Sequence, residues 1–160
     1  MITFDETIAQ ADNSASVNWP PDITTADYLR LYTEVGEPWK WCDRRLMPEP
    51  QLEALLAQAN RHIGILTSVD GTEAGFTEVC RHSNDECEIV YFGLLPEWTG
   101  RGLGSVAFRQ VVAYAQSLTN VGGRIWLSTC EWDSPAALPF YQRMGFQIVR
   151  EETSMQQVSD

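Results

Sequence analysis

Residues 94–108 read LLPEWTGRGLGSVAF, and three glycines, Gly100, Gly102 and Gly104, stand at the entrance of a run that otherwise has the spacing of an amphipathic helix. Glycine in a helix costs roughly 1 kcal/mol relative to alanine, so the placement calls for a compensating use. At a helix entrance the first backbone N–H groups have no intrahelical partner, and the aligned peptide dipoles favour an anion there. Without side chains in the way an anion approaches those N–H groups closely, and successive amides of a tight turn form a concave seat for it. The segment is therefore a candidate phosphate seat, to which Arg101 lends charge and Ser105 a hydroxyl. The spacing G-x-G-x-G is not the dinucleotide fingerprint G-x-G-x-x-G, and the G-K-[ST] of a P-loop is missing. A plain tight turn before a helix has the same appearance.

Working outward, HIGILTSV (62–69), AGFTEVCRH (74–82) and CEIVYFGLL (87–95) alternate as strands, with DG and SND as the intervening turns, and read as an antiparallel meander. The third is almost wholly apolar, as suits a central strand covered on both faces. After the glycines the helix carries Leu103, Ala107, Val111, Tyr114 and Leu118 on one stripe. GRIWLSTCEW (123–132) reads as a strand, SPAALPFYQRM (134–144) as a short helix ended by Gly145, and FQIVREE (146–152) as a last strand. Toward the N-terminus, ITFDETI (2–8) reads as a strand, followed by polar AQADNSAS and the loop NWPPD. Thr24 or Thr25 caps a helix through about Val35. GEPWKWCDRRLMPEP (36–50) is an irregular connector, and Pro48 or Pro50 opens a second helix over QLEALLAQAN. A helix joining neighbouring strands makes a right-handed parallel crossover. The order predicts an α/β fold: a mixed, mostly antiparallel sheet of about six to seven strands with helices on both faces. The length suits one domain spanning residues 1–160.

No stretch approaches the roughly 20 apolar residues of a membrane span, and the acidic start MITFDETIAQ lacks the positive charge of a secretory signal, so a cytoplasmic protein is expected. A net charge of −11 disfavours nucleic acid and anionic membranes as partners. An acidic surface would instead draw in a cationic small molecule or peptide. Cys42, Cys80, Cys87 and Cys130 form no C-x-x-C pair, and His62 and His82 lie far apart; no metal is expected, and the thiols read as free and mostly buried.

Read with its surroundings, EIVYFGLLPEWTGRGLGSVAF (88–108) resembles the acyl-CoA-binding motif of the GNAT family of N-acetyltransferases, an apolar strand running into an [R/Q]-x-x-G-x-[G/A] loop and a helix. SPAALPFYQRMGF (134–146) resembles that family's downstream motif N-x-x-A-x-x-x-Y-x-x-x-G-F, with Ala137, Tyr141, Gly145 and Phe146 in register. The resemblance covers roughly residues 62–152. Thr99 departs from the usual arginine or glutamine, and Ser134 from the usual asparagine. What the resemblance implies is acetyl-CoA as co-substrate, its pyrophosphate held mainly by backbone N–H groups across Thr99, Gly100, Arg101, Gly102, Leu103, Gly104 and Ser105. It further implies a strand that kinks at Gly93 and splays from its parallel neighbour, so that Phe92, Gly93 and Leu94 meet the pantetheine arm. Ser134 is carried over as a cofactor contact or helix cap.

Acyl transfer from a thioester to an amine needs an uncharged nucleophile, donors for the developing oxyanion and a proton for the departing thiolate. An amine with a pKa near roughly 10.4 is ammonium at neutral pH, so a base must act. Glu88, thirteen positions before Arg101, stands where family members with a glutamate base carry it; a solvated strand end is an equal reading, and Glu78 or ordered water is the alternative base. Tyr141 matches the tyrosine that protonates the thiolate in resembling enzymes, and it also suits a core aromatic. In that family the first two helices and their connector border the acceptor; here Trp39, Trp41 and Asp43 either line that pocket or, for the tryptophans, pack against the sheet edge. The expectation is an N-acetyltransferase acting on a primary amine of a small molecule or peptide, with a homodimer left open. The alternatives are a non-catalytic acyl-CoA-binding sensor or interaction module and a nucleotide-phosphate protein, the latter disfavoured by the missing P-loop lysine.

Overall fold

The computed structural model describes residues 2–4, 14–128 and 134–148. Along these residues the chain forms β1 (Ile2–Phe4), β2 (Ala15–Asn18), α1 (Thr25–Gly36), α2 (Glu49–Leu56), β3 (Arg61–Ser68), β4 (Glu73–Ser83), β5 (Glu86–Leu94), α3 (Leu103–Ser117), β6 (Arg124–Leu127), α4 (Ala137–Arg143) and β7 (Phe146–Ile148). The strands make one sheet in the order β2-β3-β4-β5-β6-β1-β7, in which β5 and β6 are the parallel pair and every other pairing is antiparallel.

Local chemistry sets the helix limits. The Thr24 hydroxyl accepts a hydrogen bond from the Asp27 amide at 3.1 Å, satisfying one of the donors that open α1. Tyr28, Leu31, Tyr32 and Val35 then fall on one buried stripe, packing with Leu52 of α2 and Phe76 of β4 against one face of the sheet. Pro48 caps α2 and Pro50 sits in its first turn. On the other face α3 buries Leu103, Ala107 and Val111 as its spacing predicts, and the buried arc widens to Phe108, Val112 and Ala115. Tyr114 lies at the edge of that arc, stacked on Trp19 with ring centroids 3.8 Å apart and hydrogen-bonded to His62 Nδ1 at 3.0 Å. Leu138, Phe140 and Tyr141 of α4 pack against the same core.

Two features of the sheet differ from the sequence reading. Residues 15–18, read as part of a polar loop, form β2, an edge strand running from Ala15 opposite Ser68 to Asn18 opposite Ile65. Its polar side chains are used locally, since the Ser16 and Thr67 hydroxyls are 2.9 Å apart. The crossover through α4 does not place β7 beside β6; β1 lies between them, with Ile2 opposite both Leu127 and Ile148. The rest of the expected first strand, 5–8, falls outside the described residues, as does Cys130.

β5 carries a bulge. Tyr91 pairs with Glu78 and Ile89 with Val79, which leaves Val90 as the extra residue. An extra residue reverses which face each later side chain meets. Cys87 and Ile89 therefore enter the α3 core, and beyond the bulge Phe92 and Leu94 do the same, while Tyr91 turns toward α1. No helix among the described residues is long and apolar enough to cross a membrane.

Candidate functional site

The glycine turn lies where β5 ends. Pro96–Trp98 form one 3-10 turn, and the Thr99 hydroxyl donates to the Pro96 carbonyl at 2.8 Å, closing it. Gly100 and Gly102 follow with φ of 74° and 80°, left-handed values that cost a side-chain-bearing residue about 1 kcal/mol or more. Gly102 is the residue preceding α3, and no side chain caps the helix there. A Cβ built on Gly100 or Gly102 meets no protein atom within 4 Å. The entrance of α3 is thus an uncapped set of N–H donors with open space in front, which suits a diphosphate. Gly104 has a different use: a Cβ there would lie 3.3 Å from Leu94 Cδ1, so its absence lets α3 sit close to β5. The Arg101 guanidinium lies 5.0 Å from the centre of the Trp98 ring, a cation–π contact that keeps it beside the turn. The Ser105 hydroxyl donates to the Gly102 carbonyl at 3.2 Å.

Among the described residues, the strand leading into this turn pairs with its parallel neighbour only near its start. β5 pairs with β6 from Glu86 opposite Arg124 to Glu88 opposite Trp126, and no pairing with β6 continues beyond that point among the described residues. Phe92, Gly93 and Leu94 pair with Thr77, Phe76 and Gly75 of β4 and lie beyond the last described pairing with β6. The expected kink at Gly93 is corrected: Gly93 keeps regular register with Phe76, and the irregular residue is Val90. Gly93 serves close packing instead, because a Cβ on it would run into Val35 Cγ1 of α1 well inside van der Waals contact.

Among the described residues Glu88 is the last position of β5 paired with β6, and it lies between Cys80 and Trp126. Its side chain is 21% exposed, and Oε1 lies 2.8 Å from Nε2 of His82, whose ring is near-parallel to Trp126 at 5.8 Å. Tyr141 packs on Phe108 at 5.3 Å and Phe140 at 5.5 Å between ring centroids. The Ser134 hydroxyl accepts from the Ala136 amide at 3.2 Å, ordering the turn ahead of α4.

No sequence motif marks the polar cluster around Glu78, the fully buried carboxylate on β4. The Tyr28 hydroxyl donates to Oε1, while Arg44 Nη2, at 2.8 Å, and Arg61 Nη1 both donate to Oε2. With both oxygens engaged, Glu78 ties α1, the connector and β3 to β4. Arg44 Nε also donates to the Tyr28 oxygen at 3.1 Å, and its guanidinium lies 5.3 Å from the Tyr91 ring centre. Burial, and then the Glu78 charge, push the Tyr28 phenol well above its ordinary value; burial likewise raises Tyr91 and Tyr32. The signal available was positional: Phe76 and Glu78 share one face of an alternating strand, so a carboxylate falls where an apolar residue belongs.

The connector packs on the sheet. Trp41 is buried against Tyr32 and Tyr91, and a Cβ on Gly36 would lie 2.6 Å from its ring. Trp39 is partly buried in the same cluster, and Asp43 is exposed. Cys42, Cys80 and Cys87 are buried and form no disulfide, and burial pushes the Cys87 thiol up to about 12. No group of three or more metal-ligating side chains occurs among the described residues.

Comparison with known proteins accords with this geometry. The family model described as Acetyltransferase (GNAT) family matches residues 27–146. No curated protein sequence matches the chain. Among solved structures, YycN from Bacillus subtilis superposes with a TM-score of 0.64 at 21% identity, covering 89% of this chain and 99% of its own. The GNAT-family acetyltransferase SP0256 from Streptococcus pneumoniae gives 0.61 at 18% identity, over 91% and 98% of the two chains. An aminoglycoside acetyltransferase from an uncultured soil metagenomic sample, solved with trehalose, gives 0.57 at 17%, over 93% and 97%. At these identities the likeness is one of fold.

Proposed function

The chain belongs to the GNAT acetyltransferase family, and on that premise we propose that it is an N-acetyltransferase moving the acetyl group of acetyl-CoA onto a primary amine of a small molecule or peptide. The observation that carries the reading is the left-handed pair Gly100 and Gly102 at the uncapped entrance of α3, at the end of a strand whose described pairing with its parallel neighbour stops at Glu88. Acetyl-CoA, when bound, supplies an activated acyl group on a thiol that departs as thiolate. The backbone N–H groups from Thr99 through Gly104 to Ser105 hold the diphosphate, with the Arg101 charge alongside, and the backbone of Phe92, Gly93 and Leu94 lines the pantetheine arm. Ser134 orders the opening of α4 beside it.

Two side chains handle protons in this reading. Glu88 takes the ammonium proton, directly or through water, and His82 at 2.8 Å orients its carboxylate. Glu78 is unsuited to that task because both of its oxygens are already engaged. Tyr141, on the helix that packs beside Phe108, gives a proton to the leaving thiolate. The net charge of −11 favours encounter with cationic amines. The reading is tested by thiol release from acetyl-CoA across polyamines, aminoglycosides, amino acids and lysine peptides. Amine-dependent release is the expected result. Tight binding of acetyl-CoA with no release for any amine would instead describe a non-catalytic acyl-CoA-binding module, and preference for ATP in calorimetry would reject both.

A further inference from the structure

A cleft of about 470 Å³ runs from Arg101 and Gly102 down α3 past Ser105 to Arg109, with Ser68 and Asp70 of the β3–β4 turn on its other wall. Arg109 Nε is buried and has no hydrogen-bond partner. An unpartnered buried donor costs free energy, and a native structure that keeps one calls for an explanation. The acid across the cleft does not supply the partner: Asp70 Oδ1 accepts from the Ser68 hydroxyl and, at 3.2 Å, from the Thr72 amide, so this oxygen is turned to its own loop.

The helix geometry relates Arg109 to the glycine turn. Gly102, Ser105 and Arg109 follow one another by three and four residues and so share a face of α3. Seven residues correspond to about 10 Å along the axis. Helical side chains lean toward the N-terminus, which brings the Arg109 guanidinium back along that face toward the turn. We infer that Arg109 receives the 3′-phosphate of coenzyme A when the diphosphate lies on the glycine turn, and that this contact makes the site select coenzyme A over its 3′-dephospho form. The inference rests on the acetyl-CoA reading above. The diphosphate and the 3′-phosphate hang from the 5′ and 3′ carbons of one ribose, so the second anion falls one sugar away from the first, within the span of the cleft. A guanidinium matches phosphate with a two-pronged, charge-assisted contact, and of the two that line this cleft Arg101 is held beside the glycine turn by Trp98, which leaves Arg109 for the second anion.

Calorimetric titration of the full chain with coenzyme A and with 3′-dephospho-coenzyme A tests this without relying on turnover. The wild-type protein is expected to bind coenzyme A at least about tenfold more tightly than the dephospho form, the scale of one charge-assisted hydrogen bond. Arg109→Gln, shown by its melting curve to be folded, is expected to bind the two ligands equally, at the wild-type affinity for the dephospho form. Arg109→Lys is expected to recover part of the preference. Equal wild-type affinities overturn the inference with no variant needed, as does a preference that survives in Arg109→Gln. Failure of the wild-type protein to bind either ligand overturns the coenzyme A reading itself, and the inference with it.

Discussion

Gly36 and Gly93, on the α1 side of the sheet, and Gly100 and Gly102, at the entrance of α3, lack the same atom for opposite reasons. At Gly36 the space of a Cβ is taken by the Trp41 ring, and at Gly93 by Val35, so these glycines let protein approach protein. At Gly100 and Gly102 nothing of the protein fills the space, and the left-handed backbone aims at solvent. Around Gly36 and Gly93 the space is filled by the chain's own side chains, and nearby Glu78 has both oxygens paired, while the α3 entrance has no side-chain cap on its donors. Substitutions on the first side should therefore be read in stability, and those around the second in ligand affinity and rate.

The largest expected effect belongs to Glu78→Ala. It strands Arg44 and Arg61 without their anion and should lower unfolding free energy by about 3–5 kcal/mol, measured by urea denaturation. A loss under about 1 kcal/mol would mean that the filled side is not held by this cluster. Tyr141→Phe comes next, on the functional side: turnover should fall about 100-fold with coenzyme A affinity and melting temperature nearly unchanged. Parallel loss of affinity and rate would make Tyr141 a packing residue only. Gly93→Ala pushes a methyl group into Val35 and should cost about 1–3 kcal/mol, read from the same denaturation curves. The smallest effect is in pH. Tyr28, Tyr32 and Tyr91 have their phenols raised by burial, so the stability they contribute is complete below the ordinary tyrosine value of about 10 and is lost as pH rises further through their folded values. Melting temperature should hold steady from about pH 7 to 9 and fall above about pH 10, less steeply in Tyr91→Phe.

The same contrast explains what the sequence made legible. Elements whose signal is local were read correctly: the Thr24 cap, the meander of β3, β4 and β5, the glycine turn and the α3 stripe each follow from spacing within a dozen residues. β2 was missed because Ala15–Asn18 is short and its polar residues pair with a strand some fifty positions away. The bulge at Val90 was read as a kink at Gly93, since glycine is the visible punctuation in a strand whereas a bulge depends on the partner's register. The insertion of β1 between β6 and β7 is likewise a long-range choice. In the candidate site, the turn and the motif bearing Tyr141 were visible as patterns. The engagement of Glu78 by Arg44 and Arg61, 34 and 17 residues away, and the unpartnered Arg109 nitrogen are products of packing.

Titration of coenzyme A onto wild-type protein and Gly102→Glu, with melting curves on both, bears most directly on the claim that the α3 entrance is held open for a diphosphate. The variant is expected to unfold cooperatively at a cost of about 1 kcal/mol while its affinity drops at least about 100-fold, because a carboxylate now stands before the amides. A folded Gly102→Glu protein that binds coenzyme A as tightly as the wild type would contradict it.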